Sequence, residues 1–167
     1  MKSLQPDEFD GVFRRIGKEW MLLTVEKPDG TANPMTASWG GLGWLWNKPV
    51  AFLFIRPQRY TFELAERAER LSVSFLEEKY RGALRLCGTL SGRETDKFAA
   101  AGLTVATVGG VPCPAEAHTV LICRKLFAED LEKSAFLDTE LLKNYPTDDF
   151  HRMYICEIES IYQKEEL

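Results

Sequence analysis

Apolar and polar positions along this chain fall mostly into strand-length blocks, with short helical stretches between them. Trp20 to Val25 is rich in β-formers and runs into Pro28-Asp29-Gly30, which predicts a strand, a tight reversal and a returning strand. The return passes Asn33 to Trp39 and meets Gly40, Gly41 and Gly43 before Trp44-Leu45-Trp46. Glycines so dense in a β-rich stretch predict bulges or close approach of backbone to a ligand. Val50 to Ile55 is a continuous apolar run, ended by Arg56-Pro57 because proline cannot donate to a following ladder. Leu71-Ser72-Val73-Ser74-Phe75 alternates as a half-buried strand does, His118 to Phe127 reads as a long strand, and Tyr154, Cys156 and Ile158 alternate with Ile155, Glu157 and Glu159 in another.

Helical spacing is briefer. Phe9, Val12, Phe13 and Ile16 predict a turn or two before the first strand, and Phe62, Leu64, Ala65 and Ala68 a short amphipathic helix with Thr61 as its N-cap. From Glu77 to Leu103 the pattern is helical and loop-like. A strand from Thr104 to Val108 then reaches Gly109-Gly110 and the proline-bounded Val111 to Pro114, which reads as a loop. Asp138 to Asn144 has room for one helical turn or two. The total is six or seven strands in mixed order, which disfavours a Rossmann sheet and favours a closed antiparallel barrel with helical insertions. There is no GxGxxG after a strand and no GxxxxGK[ST].

The 167 residues suit one domain spanning the whole chain, and 45% hydrophobic with 28% charged residues is ordinary for a folded protein. A net charge of −4 removes the general attraction to nucleic acid or anionic membrane. No apolar stretch approaches the ~20 residues that span a bilayer, and the N-terminus lacks a basic segment followed by an apolar one, so a cytoplasmic protein is expected. Cys87, Cys113, Cys123 and Cys156 form no CxxC pair and read as reduced core thiols. Cys113 and His118 are too few for a metal site, and none is assigned.

Two segments carry candidate chemistry. Ile55 to Phe62 places Arg56, Arg59 and Thr61 at the junction of a buried strand and a helix N-terminus, where unpaired N–H groups, the positive end of the helix dipole and fork-shaped guanidinium donors favour a phosphate. An ordinary helix cap with solvated arginines accounts for the same residues. Asn33 to Gly43 sets small residues and backbone amides beside Trp39, Trp44 and Trp46, which suits a flat conjugated ring as well as it suits a tryptophan-filled hairpin core. Lys97 and His151 rank below these on spacing alone. No Ser-His-Asp order or paired carboxylates support hydrolysis.

These residues resemble the flavin-reductase-like, flavoredoxin-type FMN-binding split barrels. The matching pieces are Asn33-Pro34-Met35-Thr36-Ala37-Ser38-Trp39, Arg59-Tyr60-Thr61 with Glu63-Leu64, Cys87-Gly88 with Ser91-Gly92 and Asp96-Lys97-Phe98, and His151 with Glu157-Ile158. The resemblance implies a mainly β, six-stranded Greek-key split barrel with short helical insertions that dimerises and holds FMN at the subunit interface. Asn33 and the Met35, Thr36, Ala37, Ser38 and Trp39 backbone would line the isoalloxazine ring. Arg59, Tyr60 and Thr61, with Arg56 added for its position, would hold the phosphate end. Lys97 would approach the flavin, and His151 would lie near the site, from the same or the partner subunit. Pro34 stiffens its segment and removes a donor, and Cys156 stands where the family often has glycine.

The activity implied is that of an NAD(P)H:flavin oxidoreductase, with nicotinamide as co-substrate and a small-molecule or protein electron acceptor. The alternatives are an FMN-binding electron carrier without efficient NAD(P)H oxidation, and a split barrel that has lost flavin and serves in assembly or ligand sensing.

Overall fold

In the computed structural model, which describes residues 2–4 and 10–164, the strands outnumber the sequence expectation: ten occur among the described residues. In chain order they are β1 (Lys2–Leu4), β2 (Met21–Glu26), β3 (Ala32–Ala37), β4 (Gly40–Leu45), β5 (Lys48–Ile55), β6 (Arg70–Phe75), β7 (Val105–Val108), β8 (Val111–Pro114), β9 (Thr119–Asp130) and β10 (Arg152–Gln163). The helices are α1 (Val12–Arg14), continued by a π-turn over Arg15–Glu19, then α2 (Tyr60–Arg67), α3 (Arg81–Thr89) and α4 (Lys97–Ala101).

All pairings are antiparallel, in the order β3-β2-β6-β9-β10-β5-β4, with β1 added on β10. The expected closed six-stranded barrel is not what forms, because β3 and β4 are the two ends of the path and do not pair. Helix α3 lies against β3 instead: the Thr36 hydroxyl donates to the Leu84 carbonyl at 2.5 Å, and a methyl group on Gly88 would meet Thr36 at 3.5 Å. Thr36 is the cross-strand partner of Leu22, which clusters with Leu84, so α3 packs on the face of β3 and the outer edge of that strand stays open. Pro34 fits the same arrangement, since β3 is an edge strand and the lost donor costs no ladder bond on its free side.

Two apolar clusters hold the sheet from both faces. Met21, Leu23 and Val25 of β2 join Val73, Leu121, Tyr154 and Cys156 in one, while Leu22 faces Leu84, Phe98, Val111 and Ile122 in the other. Strand β6, expected half-buried, is buried throughout Leu71–Phe75 because the β7–β8 hairpin covers its second face, where the Ser72 hydroxyl donates to the Pro112 carbonyl at 2.6 Å. Val111–Pro114, expected as a loop, is therefore a strand. Gly109 and Gly110 both adopt positive φ and close its hairpin with β7.

Other expectations shift in detail. Phe9 lies outside the described residues; Val12 and Ile16 pack on the core, but Phe13 is fully solvent-facing. Cys156 points into the core beside a β-bulge between Ile155 and Cys156, so its thiol meets apolar side chains, not a surface. All four cysteines are buried and unpaired.

Candidate functional site

The link from β5 to α2 builds the corner. After Ile55 the chain turns through Arg56-Pro57-Gln58, and Arg59, in extended conformation, is the N-cap of α2. Thr61, expected as the cap, is instead the second helical residue and fully buried, with its hydroxyl accepting a 2.8 Å hydrogen bond from the Asn33 side-chain amide. That bond ties β3 to the helix start. The Phe62 amide bonds back to the Arg59 carbonyl at 2.9 Å, which leaves the Tyr60 and Thr61 amides at the open end of α2, where no side chain caps the helix.

Two cations converge beside this turn. Arg59 donates to the Gly88 carbonyl at 2.7 Å and the Cys87 carbonyl at 3.3 Å, and Lys97 Nζ, only 3% exposed, donates to the same Cys87 carbonyl at 3.2 Å. Neither forms an ion pair with a carboxylate among the described residues. Their only local compensation is the negative end of α3. Burial, reinforced by Arg59, pushes the Lys97 ammonium down to about 8, and burial alone lowers the Arg59 guanidinium. A buried ammonium beside a half-buried guanidinium, with no carboxylate partner among the described residues, is costly, and an anion at this place would relieve the cost.

The space is there. A cavity of about 170 Å³ is lined by Arg59, Tyr60, Thr61, Ser91, Gly92 and Lys97, among others. The backbone of the loop after α3 approaches closely: a Cβ on Gly92 would fall 1.8 Å from Asn33 Oδ1, so any side chain there must displace the loop or the Asn33 amide that holds Thr61.

A second cavity, about 330 Å³, adjoins the first through Gln58 and Arg59. Its walls are Met35 to Trp39, Phe54, Arg56 and His151. One wall is the free edge of β3, which leaves peptide groups for a ligand, and the rest joins the rings of Trp39, Phe54 and His151 to the polar side chains of Arg56, Gln58 and Arg59. The His151 ring lies 5.3 Å from Trp39 and 6.4 Å from Phe54, the latter edge-on. Burial, with Arg56 nearby, brings the His151 imidazole down to about 4, so it is neutral near pH 7.

The structure thus brings most of the sequence-predicted residues together, from one subunit. Met35, Thr36, Ala37, Ser38 and Trp39 line the larger cavity with His151 and Arg56; Tyr60, Thr61 and Lys97 line the smaller; and Arg59 lines both. Asn33 lines neither: it is buried behind them, holding Thr61. Arg56 is committed elsewhere, to Asp149 at 2.6 Å and the Asn144 carbonyl at 2.7 Å, and it sits on the larger cavity, away from the cation pair. Trp44 and Trp46 face solvent and reach neither cavity.

Sequence reasoning passed over Phe54 and Gln58, which line the larger cavity, and Tyr145, whose hydroxyl lies 2.8 Å from His151 Nδ1 behind it. Gln58 was legible as part of the strand-to-helix corner; nothing local marked Tyr145. A groove of about 340 Å³ also runs between the β2–β3 turn, the end of α2 and the β7–β8 turn. Its Glu26, Lys27, Arg67, Glu69 and Arg70 are of mixed sign and none is buried, so no uncompensated charge converges there.

The donor set and shape fit a phosphorylated planar ring: anion donors in the small cavity, aromatic walls and a strand edge in the large one. The chain is similar to several solved structures. A flavoredoxin from Methanosarcina acetivorans is 23% identical with a TM-score of 0.68, over 88% of this chain and 69% of that one. Flavoredoxin of Desulfovibrio vulgaris (Miyazaki F) is 22% identical with a TM-score of 0.70, over 87% of this chain and 69% of that one. An FMN-binding protein from Thermus thermophilus with bound p-hydroxybenzaldehyde is 22% identical with a TM-score of 0.70, over 100% of this chain and 84% of that one. No curated protein matches significantly. Residues 13–167 match the model of the flavin reductase like domain, which takes in both cavities and every strand from β2 onward; the chain belongs to that family.

Proposed function

We propose that this protein binds FMN and works as an NAD(P)H-dependent, flavin reductase-like oxidoreductase, as a cytoplasmic homodimer with the cofactor at the subunit interface. The observation that carries the reading is buried Lys97 beside half-buried Arg59, neither paired with a carboxylate among the described residues, at the start of α2 and next to a cavity of about 330 Å³ walled in part by Trp39, Phe54 and His151.

In this reading Arg59, Lys97 and the Tyr60 and Thr61 amides hold the phosphate, and Gly92 lets the loop close over it. The β3 edge from Met35 to Ser38 orients the ring, and Trp39, Phe54 and His151 keep water from its face. The cofactor, when bound, supplies the hydride-accepting chemistry, so the protein needs no acid or base of its own for that step. The part of the larger cavity beside half-exposed Trp39 leaves room for a nicotinamide to stack. The electron acceptor is then a small molecule or a protein that reaches the same opening.

The direct test compares FMN with riboflavin, which has the ring and no phosphate, by fluorescence quenching. FMN binds at least tenfold more tightly to the native protein, and Arg59→Ala erases that difference, as expected for loss of charge-assisted hydrogen bonds worth about 1.5–3 kcal/mol. Equal affinity for the two in the native protein would remove the phosphate assignment. Anaerobic bleaching of the bound flavin by NADH or NADPH marks a reductase, and a yellow protein that neither nucleotide bleaches is an electron carrier.

A further inference from the structure

The segment between β9 and β10 contributes nothing to the phosphate corner, yet it sends one side chain to the back of the larger cavity. Tyr145, 7% exposed, ends the 3₁₀ turn Thr139–Asn144, and its hydroxyl lies 2.8 Å from His151 Nδ1. Its ring is fixed by Phe150 at 4.8 Å, Phe136 at 5.8 Å and the Arg56 guanidinium at 5.2 Å. Arg56 is in turn held by Asp149 and the Asn144 carbonyl, and Gln58 donates to the same Asp149 oxygen. His151 lines the cavity; Tyr145 does not.

The direction of the hydrogen bond follows from what each group can do. A neutral imidazole carries one N–H, on either nitrogen. If Nδ1–H donated to the phenol, the buried hydroxyl proton of Tyr145 would have no acceptor among the described residues. With the phenol donating to Nδ1, both groups are satisfied and the imidazole proton sits on Nε2. The charged groups facing the pair are Arg56 and Asp149; burial and Arg56 oppose a second proton on the imidazole and outweigh the opposite pull of Asp149, whose Oδ2 accepts from Arg56 and Gln58.

We propose that Tyr145 is a positioning residue whose hydroxyl locks His151 as the Nε2–H tautomer, so that an uncharged donor faces the larger cavity and takes the carbonyl oxygen of a planar conjugated ligand. The ligand half of this inference rests on the ring-binding reading above; the tautomer half does not. An uncharged donor on this wall suits a neutral carbonyl oxygen, while Arg59, at the junction with the smaller cavity, is the cation that serves an anion. The carbonyl belongs either to the isoalloxazine ring or to a second planar compound stacked on it.

Long-range ¹H–¹⁵N spectra of the ¹⁵N-labelled protein test this, with only two histidines to assign. In the ligand-free native protein, His151 shows a protonated Nε2 and an acceptor-type Nδ1, and in Tyr145→Phe, which keeps the ring contacts, the two tautomers mix. A native Nδ1–H tautomer, or a spectrum unchanged in Tyr145→Phe, overturns the tautomer lock. Should the variant not fold, the native spectrum alone decides. A shift of Nε2 on adding FMN alone identifies the cofactor's carbonyl; a shift only when p-hydroxybenzaldehyde follows, and not with p-cresol, identifies a second ligand's. In either case Tyr145→Phe weakens binding of the responsible ligand about three- to tenfold, the loss of one neutral hydrogen bond. Nε2 unmoved by any of them, while FMN quenching shows binding, overturns the ligand half. Absence of FMN quenching defeats the proposed function and leaves the tautomer result standing.

Discussion

Lys97 concentrates the electrostatic logic of the site in one side chain. It is buried and bonded only to a carbonyl, and its ammonium is pushed down to about 8 by burial and by Arg59. A bound phosphate would raise that value again, so the free protein takes up a proton on binding as pH passes above 8. Affinity for FMN is therefore expected to hold steady below about pH 8 and to fall as pH rises beyond it. Isothermal titration across pH 6 to 10 checks this, with Lys97→Met flattening the profile and weakening binding by roughly 10- to 100-fold. His151 runs the other way in its effect on folding. Its imidazole is held near 4 in the native protein, so the unfolded chain binds more protons between that value and the usual 6.5. Stability supplied by this group is complete above about pH 6.5 and declines as pH falls toward 4, and His151→Gln should make the acid slope of Tm shallower in that window.

The elements matter because three of them meet at one hydrogen bond. Asn33 on β3, Thr61 on α2 and Gly92 in the loop between α3 and α4 come within contact of one another, the last so closely that a methyl group would fall 1.8 Å from the Asn33 oxygen. Gly92→Ala must then displace the loop or break the Asn33–Thr61 bond. We expect a loss of about 1–3 kcal/mol in urea unfolding, the cost of stranding buried polar groups, together with an FMN affinity reduced at least tenfold. A variant with native affinity would mean that the loop does not close over the phosphate. By contrast Pro34 needs no compensation, because its strand is an edge with no second partner strand.

For the whole molecule, the open question is what meets the far side of the sheet. Trp44 and Trp46 flank the end of β4, exposed by 68% and 54%, and Trp46 packs edge-on against half-exposed Phe127 at 6.3 Å. Trp46 and Asn47 both take positive φ in a two-residue hairpin turn, so the tryptophan is held outward by the backbone. So much apolar ring surface turned to solvent is consistent with the proposed homodimer. Light scattering should give twice the 19.0 kDa chain mass, and Trp44→Glu should shift it toward the monomer. A native monomer that still binds FMN would place the site wholly within one subunit.

Local pattern determined a good deal: the strand blocks at Met21–Glu26, Lys48–Ile55 and Thr119–Asp130, and the helix after Arg59. Each depends on residue spacing, proline and glycine chemistry or the needs of a helix N-terminus, all of which act within a few residues. What the chain order could not decide were the contacts between segments far apart. The sheet ends at β3 and β4, which do not pair, and Val111–Pro114 became a strand because β7 offers it a partner and β6 a surface. Arg56 was diverted to Asp149, 93 positions away, and Lys97 met Arg59 over a shared carbonyl of α3. Such outcomes depend on which charged and apolar groups the tertiary fold removes from water together, and that is set by packing, which no local periodicity encodes.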